Sequence, residues 1–147
     1  MEKQIEAYLY KNIPIAKAMG IQVKHASLQK VILFAPIANN INHKSTVFGG
    51  SLHAVATLAC WSLVYVHVKE AGDEHVQIVI TKSEVVYHAP VDADFTVECS
   101  SPENSVWQKF LKMLHSKGKA RIQLSAKIYH NNRLCVEYQA VFAALRV

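Results

Sequence analysis

From Ser45 to Val68 the chain runs 24 residues without a charged side chain, bracketed by Lys44 and Lys69. That length suffices to cross a bilayer as a helix. The stretch nevertheless contains Gly49, Gly50, Ser51, His53, Thr57, Ser62 and His67, and the sequence around it is rich in alternating apolar and polar residues. Alternation of that kind describes strands with one face to bury. A helix apolar on nearly every side is then the object they bury it against. The expectation is a central core helix, from about Phe48 or Gly50 to Glu70 and stopped by Ala71-Gly72-Asp73, with no membrane span.

The flanking segments fit that reading. Glu2–Lys11 is a short amphipathic helix, which Pro14 should end. "IQVKHAS" and "KVILFAPI" form a hairpin, and "ANNINHKST" is a polar loop leading into the central helix. "VQIVITKSEVVYHA" (76–89) is a long strand and "FTVEC" (95–99) another. "SPENSVWQKFLKML" is a helical insert with Ser101 as N-cap and Pro102 at its first position. "KARIQLSAKIYH" and "RLCVEYQAVFAALRV" close the chain as a hairpin about Asn131-Asn132. Strands that follow one another without strict βαβ alternation indicate an α+β domain with an antiparallel sheet. About six strands against one all-apolar helix imply a sheet curved around it. A single domain over residues 1–147 accounts for the length.

Hydrophobic residues make up 51% of the chain and charged residues 18%, enough for a core and unlike a disordered composition. The net charge of +5 comes from dispersed basic residues, which argues against nucleic acid as a partner. Cys60, Cys99 and Cys135 are widely spaced and contain no CxxC pair, so no metal centre is expected. Free thiols and an N-terminus without a signal-peptide pattern suit the cytoplasm.

"MGIQV", "NINHKSTVFGGSL", "LACWSL" and "VVYHAPV" together resemble the hotdog-fold thioesterase superfamily. The similarity is closest to the thioesterase-like domain fused behind acetyltransferase domains in some bacterial proteins. The resemblance spans nearly the whole chain. It implies a homodimer or dimer of dimers with sheets joined edge to edge and active sites between the subunits, and hydrolysis of acyl-coenzyme A or acyl-carrier-protein thioesters. Coenzyme A would enter only as part of the substrate, without a separate cofactor. The alternative is a non-catalytic module that binds or senses acyl thioesters.

The residues say how such a site would work. A helix N-terminus carries unpaired N–H groups and partial positive charge. Gly49 and Gly50 let a carbonyl come close to it, so a Gly50 or Ser51 N–H is a candidate oxyanion donor. Asn42 matches the family's loop asparagine and could orient water or the carbonyl. His43 beside it is a candidate general base. Phe48 is expected to line the pocket. Related enzymes often carry an Asp or Glu on the helix at the position that Thr57 holds here, and no carboxylate occurs between Ser45 and Lys69. Lys82 and His88 are expected near the pantetheine groove, and Lys117, Lys119 and Arg121 near the coenzyme A phosphates. His53 is expected as a hydrogen-bonded core residue, Glu84 as a solvent-facing one and Cys60 as buried packing. Trp107, Phe110 and Met113 could roof an acyl tunnel or simply pack the core.

Overall fold

A computed structural model describes all 147 residues. Helix α1 (Glu2–Asn12) and the short α2 (Pro14–Ala18) precede strands β1 (Gln22–Ala26) and β2 (Lys30–Ala35). A 3₁₀ turn at Ile37–Asn39 leads to helix α3 (Gly49–Glu70), and β3 (Val76–Tyr87), β4 (Phe95–Ser100), α4 (Asn104–Lys117), β5 (Lys119–His130) and β6 (Arg133–Arg146) follow. The six strands form one antiparallel sheet in the order β1-β2-β4-β5-β6-β3. It curves around α3, which packs against five of them. This is the expected hotdog architecture.

Two boundaries differ from the sequence reading. Pro14 does not merely end α1; it opens α2 at a first-turn position, where its missing N–H costs nothing. The α4 insert begins at Asn104, after Glu103, instead of at Pro102. Ser101 has other work: its hydroxyl donates to Leu28 O and accepts from Trp107 Nε1, and its N–H donates to Gln29 O. These bonds pin the β1–β2 turn to α4. Gly118 then closes α4 in the left-handed conformation at φ 75°.

Within Ser51–Val68 the only positions not fully buried are His53, Ala54, Thr57, Trp61 and Tyr65. Four of these recur every four residues, so they form one stripe along α3. The sheet covers the rest of the helix. The stripe looks toward β3: Gly49 O accepts from the Tyr87 hydroxyl at 2.9 Å, His53 Nε2 meets Ser83 Oγ at 3.1 Å, and Trp61 Nε1 donates to Ile78 O at 3.1 Å. Partners descend β3 as the helix advances, so α3 runs antiparallel to it.

The two sheet edges are treated differently. On β1, the N–H groups of Val23 and Ala26 donate to the carboxylates of Glu6 and Glu2 from α1. On β3, twelve residues long, the side away from β6 has no strand or helix against it. Its apolar side chains Val79, Ile80, Val86 and Tyr87 are exposed.

Candidate active site

The site is built where the loop after β2 delivers the chain into α3. Asn40, fully buried, donates from Nδ2 to Met19 O and Pro36 O, while its own carbonyl accepts the Phe48 N–H. Val47 N–H donates to Val91 O. These bonds fix the point of entry. Between them, Asn42–Thr46 folds into a tight turn with Ser45 at φ 63°. Asn42 holds that turn: Oδ1 accepts from Lys44 N–H and Thr46 N–H, and Nδ2 donates to Thr46 Oγ1.

At the start of α3, the N–H groups of Ser51 and Leu52 both donate to Phe48 O. The N–H groups of Gly49 and Gly50 make no hydrogen bond within the chain. Gly50 is exposed, and the ring of Phe48, 57% exposed, lies over it so closely that a Cβ there would come within 2.4 Å. The Tyr87 ring covers Gly49 from the other side at 3.6 Å from the place a Cβ would take. Two donors without a partner thus stand at a helix N-terminus flanked by two aromatic rings, a setting suited to an oxyanion.

One turn into the helix, His53 shares a face with Gly49 and Gly50. It is half-buried rather than part of the core, bonded through Nε2 to Ser83 and tilted against the Tyr138 ring at 5.4 Å. Thr57 follows on the same stripe. Its hydroxyl donates to His53 O, so it must accept from the Tyr138 hydroxyl, 2.8 Å away. Burial pushes the Tyr138 phenol up to about 12, which keeps it a neutral donor.

The sequence-level candidates therefore separate. Gly49, Gly50, Phe48 and Thr57 come together with His53 and Tyr87. Ser51 does not serve as the donor, because its N–H is spent on Phe48 O. His43 is exposed on the loop and hydrogen-bonds to nothing in the chain, so no group orients it as a base. Asn42 anchors the turn, with both side-chain ends turned inward. Lys82 and His88 lie on the face of the sheet opposite α3, alongside Glu84, and His88 pairs with Glu137 at 2.9 Å. Lys117, Lys119 and Arg121 sit at the other end: Lys119 and Arg121 pair with Leu145 and Ala143, which pair in turn with Gln77 and Val79. That is about 30 Å along β3 from Tyr87. Trp107 and Phe110 are core residues, Met113 is exposed, and Cys60 is fully buried with its thiol pushed up by that burial.

His53, Tyr87 and Asn40 take parts here that the linear sequence does not assign them. Position 53 falls on the 49-53-57 spacing, which was the available signal. The role of Tyr87 depends on which face of β3 meets the helix, and a bulge between Ile80 and Lys82 resets that alternation.

The family described as "Putative thioesterase (yiiD_Cterm)" matches residues 2–146. Among solved structures, a Chlorobaculum tepidum protein of unknown function is 31% identical, covering 99% of this chain and 94% of its own with a TM-score of 0.95. A structure from Shewanella oneidensis described as a "putative thioesterase" is 22% identical over 98% and 96% of the two chains, with a TM-score of 0.83. One from Pseudomonas aeruginosa, described as of unknown function and a "probable thioesterase", is 17% identical over 100% and 97%, also at 0.83.

Proposed function

Because the chain belongs to this thioesterase family and is a thioester hydrolase of the hotdog fold, we propose that it cleaves acyl-coenzyme A or acyl-carrier-protein thioesters at the N-terminus of α3. The observation that carries this is the pair of unbonded N–H groups of Gly49 and Gly50, beside the rings of Phe48 and Tyr87, with Gly50 exposed. They receive the thioester oxygen and stabilise the negative charge that forms as water adds to the carbonyl carbon. His53, one turn deeper, takes the proton from that water and returns it to the thiolate leaving group. The tetrahedral intermediate then collapses, breaking the carbon–sulfur bond and releasing a carboxylate and a thiol. Thr57 cannot replace the missing carboxylate, since its proton is committed to His53 O. It orients the helix carbonyl and the Tyr138 hydroxyl instead.

The protein works in this reading as a homodimer, or a dimer of dimers, joined along β3, in the cytoplasm where its acyl-thioester substrates occur. Support comes from the contrast between the edges: β1 is blocked by carboxylates, while β3 is long, apolar and open. The test is thiol release from a panel of acyl-coenzyme A and acyl-carrier-protein substrates, run beside a binding measurement. Release on at least one substrate, lost on substitution of His53, supports the proposal. Binding without release for every chain length and both carriers overturns it.

A further inference from the structure

Resting on that proposed reading, and on the placement of the site between subunits that the family resemblance implies, we infer that its acyl-side wall, which selects the acyl group, is Trp61 with Tyr8 stacked on it, both from the partner subunit. The argument begins with the faces of β3. Ser83 and Tyr87 bond to α3, and Ile78 and Ile80 oppose the core residues Ala144 and Phe142, so these side chains lie on the helix face. Val79, Lys82, Glu84 and Val86 lie on the other, with the bulge at Thr81 between the two series.

A second copy added antiparallel to the free edge must match helix face to helix face. Centring the two-fold on Ser83 does so and sets Lys82 against Glu84 at both ends of the centre. Beyond the bulges, Ile80 meets Val85, Val79 meets Val86, and Ile78 meets Tyr87. Moving the centre to Lys82 or Glu84 places like charges directly opposite, which a strand pair disfavours. Every exposed apolar side chain of β3 finds an apolar partner in the Ser83 register.

That register decides what faces the oxyanion donors. Within one chain Tyr87 marks the Gly49–Gly50 end of α3, and Ile78 carries Trp61. Opposing Ile78 to Tyr87 therefore sets Trp61 of the partner subunit across from the glycines and the exposed Phe48. Trp61 is already backed by Tyr8 at 5.7 Å and Tyr65 at 5.3 Å, in stacked arrangements. The stripe of α3 that its own sheet leaves open is thus covered by the partner's stripe. A cleft with Phe48 and Tyr87 on one side and Trp61 and Tyr8 of the partner subunit on the other favours acyl groups long enough to lie against the rings. It offers an acetyl group little extra contact.

Two measurements on the full chain test this. Ser83→Cys, alone among single cysteine replacements at positions 82–85, should crosslink to itself through an intersubunit disulfide under mild copper-phenanthroline oxidation. A dimer that fails to crosslink there overturns the register. Trp61→Ala should lower kcat/KM for octanoyl-coenzyme A about tenfold more than for acetyl-coenzyme A. Tyr8→Ala, at an exposed position, should shift selectivity in the same direction if Trp61→Ala does not fold. Refolding Gly50→Val together with Trp61→Ala creates one intact site per mixed dimer, so octanoyl hydrolysis should recover to about a quarter of wild type. No recovery above the mean of the two parents overturns the partner contribution. A wild type that hydrolyses no thioester sinks the catalytic reading by itself. In that case quenching of tryptophan fluorescence by octanoyl-coenzyme A, lost in Trp61→Ala, supports the wall, and undiminished quenching overturns it.

Discussion

A Cβ on Gly50 would meet Cε2 of Phe48 at 2.4 Å, so Gly50→Val must displace the ring that flanks the free N–H groups. Because that contact is with the far end of a side chain, the fold should survive while the donor geometry does not. Losing one such donor costs about 10²–10³ in kcat. The expected result is a kcat loss of that order with a melting temperature close to wild type. His53→Gln keeps a polar partner for Ser83 but cannot serve as a base, so kcat should fall by about 10²–10⁴ while the melting temperature stays close to wild type. Asn42→Ala removes three hydrogen bonds from the turn. It should lower stability by about 1–2 kcal/mol, read by urea denaturation, and raise KM through a displaced loop. An effect on kcat as severe as that of His53→Gln would restore Asn42 to the direct role its place in the sequence suggested. Asn42 was legible as important; its side chain's inward turn was not, because that depends on the left-handed Ser45.

At the scale of elements, α3 joins two unlike ends. Its N-terminal end is open, whereas its C-terminal end is sealed by His67, which is buried, stacked on Trp107 at 3.6 Å and bonded through Nε2–H to Leu28 O. Burial holds His67 below its ordinary value of 6.5, favouring the neutral ring in the folded chain. The unfolded chain therefore takes up the proton first. The stability contributed by the neutral ring is fully present above about pH 6.5 and is lost as pH falls from there through the lower, folded value. His67→Gln, which keeps an N–H for Leu28 O, should flatten the pH dependence of the melting temperature in that window. An unchanged slope would mean that other groups govern it. Element order and type were readable from periodicity almost throughout. The α4 start was misplaced because Ser101 has the composition of a cap but is recruited by Leu28 and Gln29, distant in sequence and adjacent in space.

At the scale of the molecule, the proposed dimer through the open β3 edge would make association part of stability. A dimer that binds through this edge in its folded form only should melt at a temperature that rises with protein concentration. A constant melting temperature across a hundredfold dilution, about 100 to 1 μM, would count against the edge as the joint. The sequence by itself determined that a long uncharged helix must be buried by a curved antiparallel sheet, because the 3.6 and 2.0 periods are local properties of the backbone. It also determined that two glycines open that helix, so donors would be accessible there. Only the tertiary structure decided which side chains share the site. Within one chain, Lys82 and His88 lie on the face of β3 away from α3, Lys119 and Arg121 toward its Gln77 end, and His53 and Tyr87 beside the open start of α3. Strand face and register depend on one bulge and on pairing between distant segments, and neither is encoded in any short stretch of the chain.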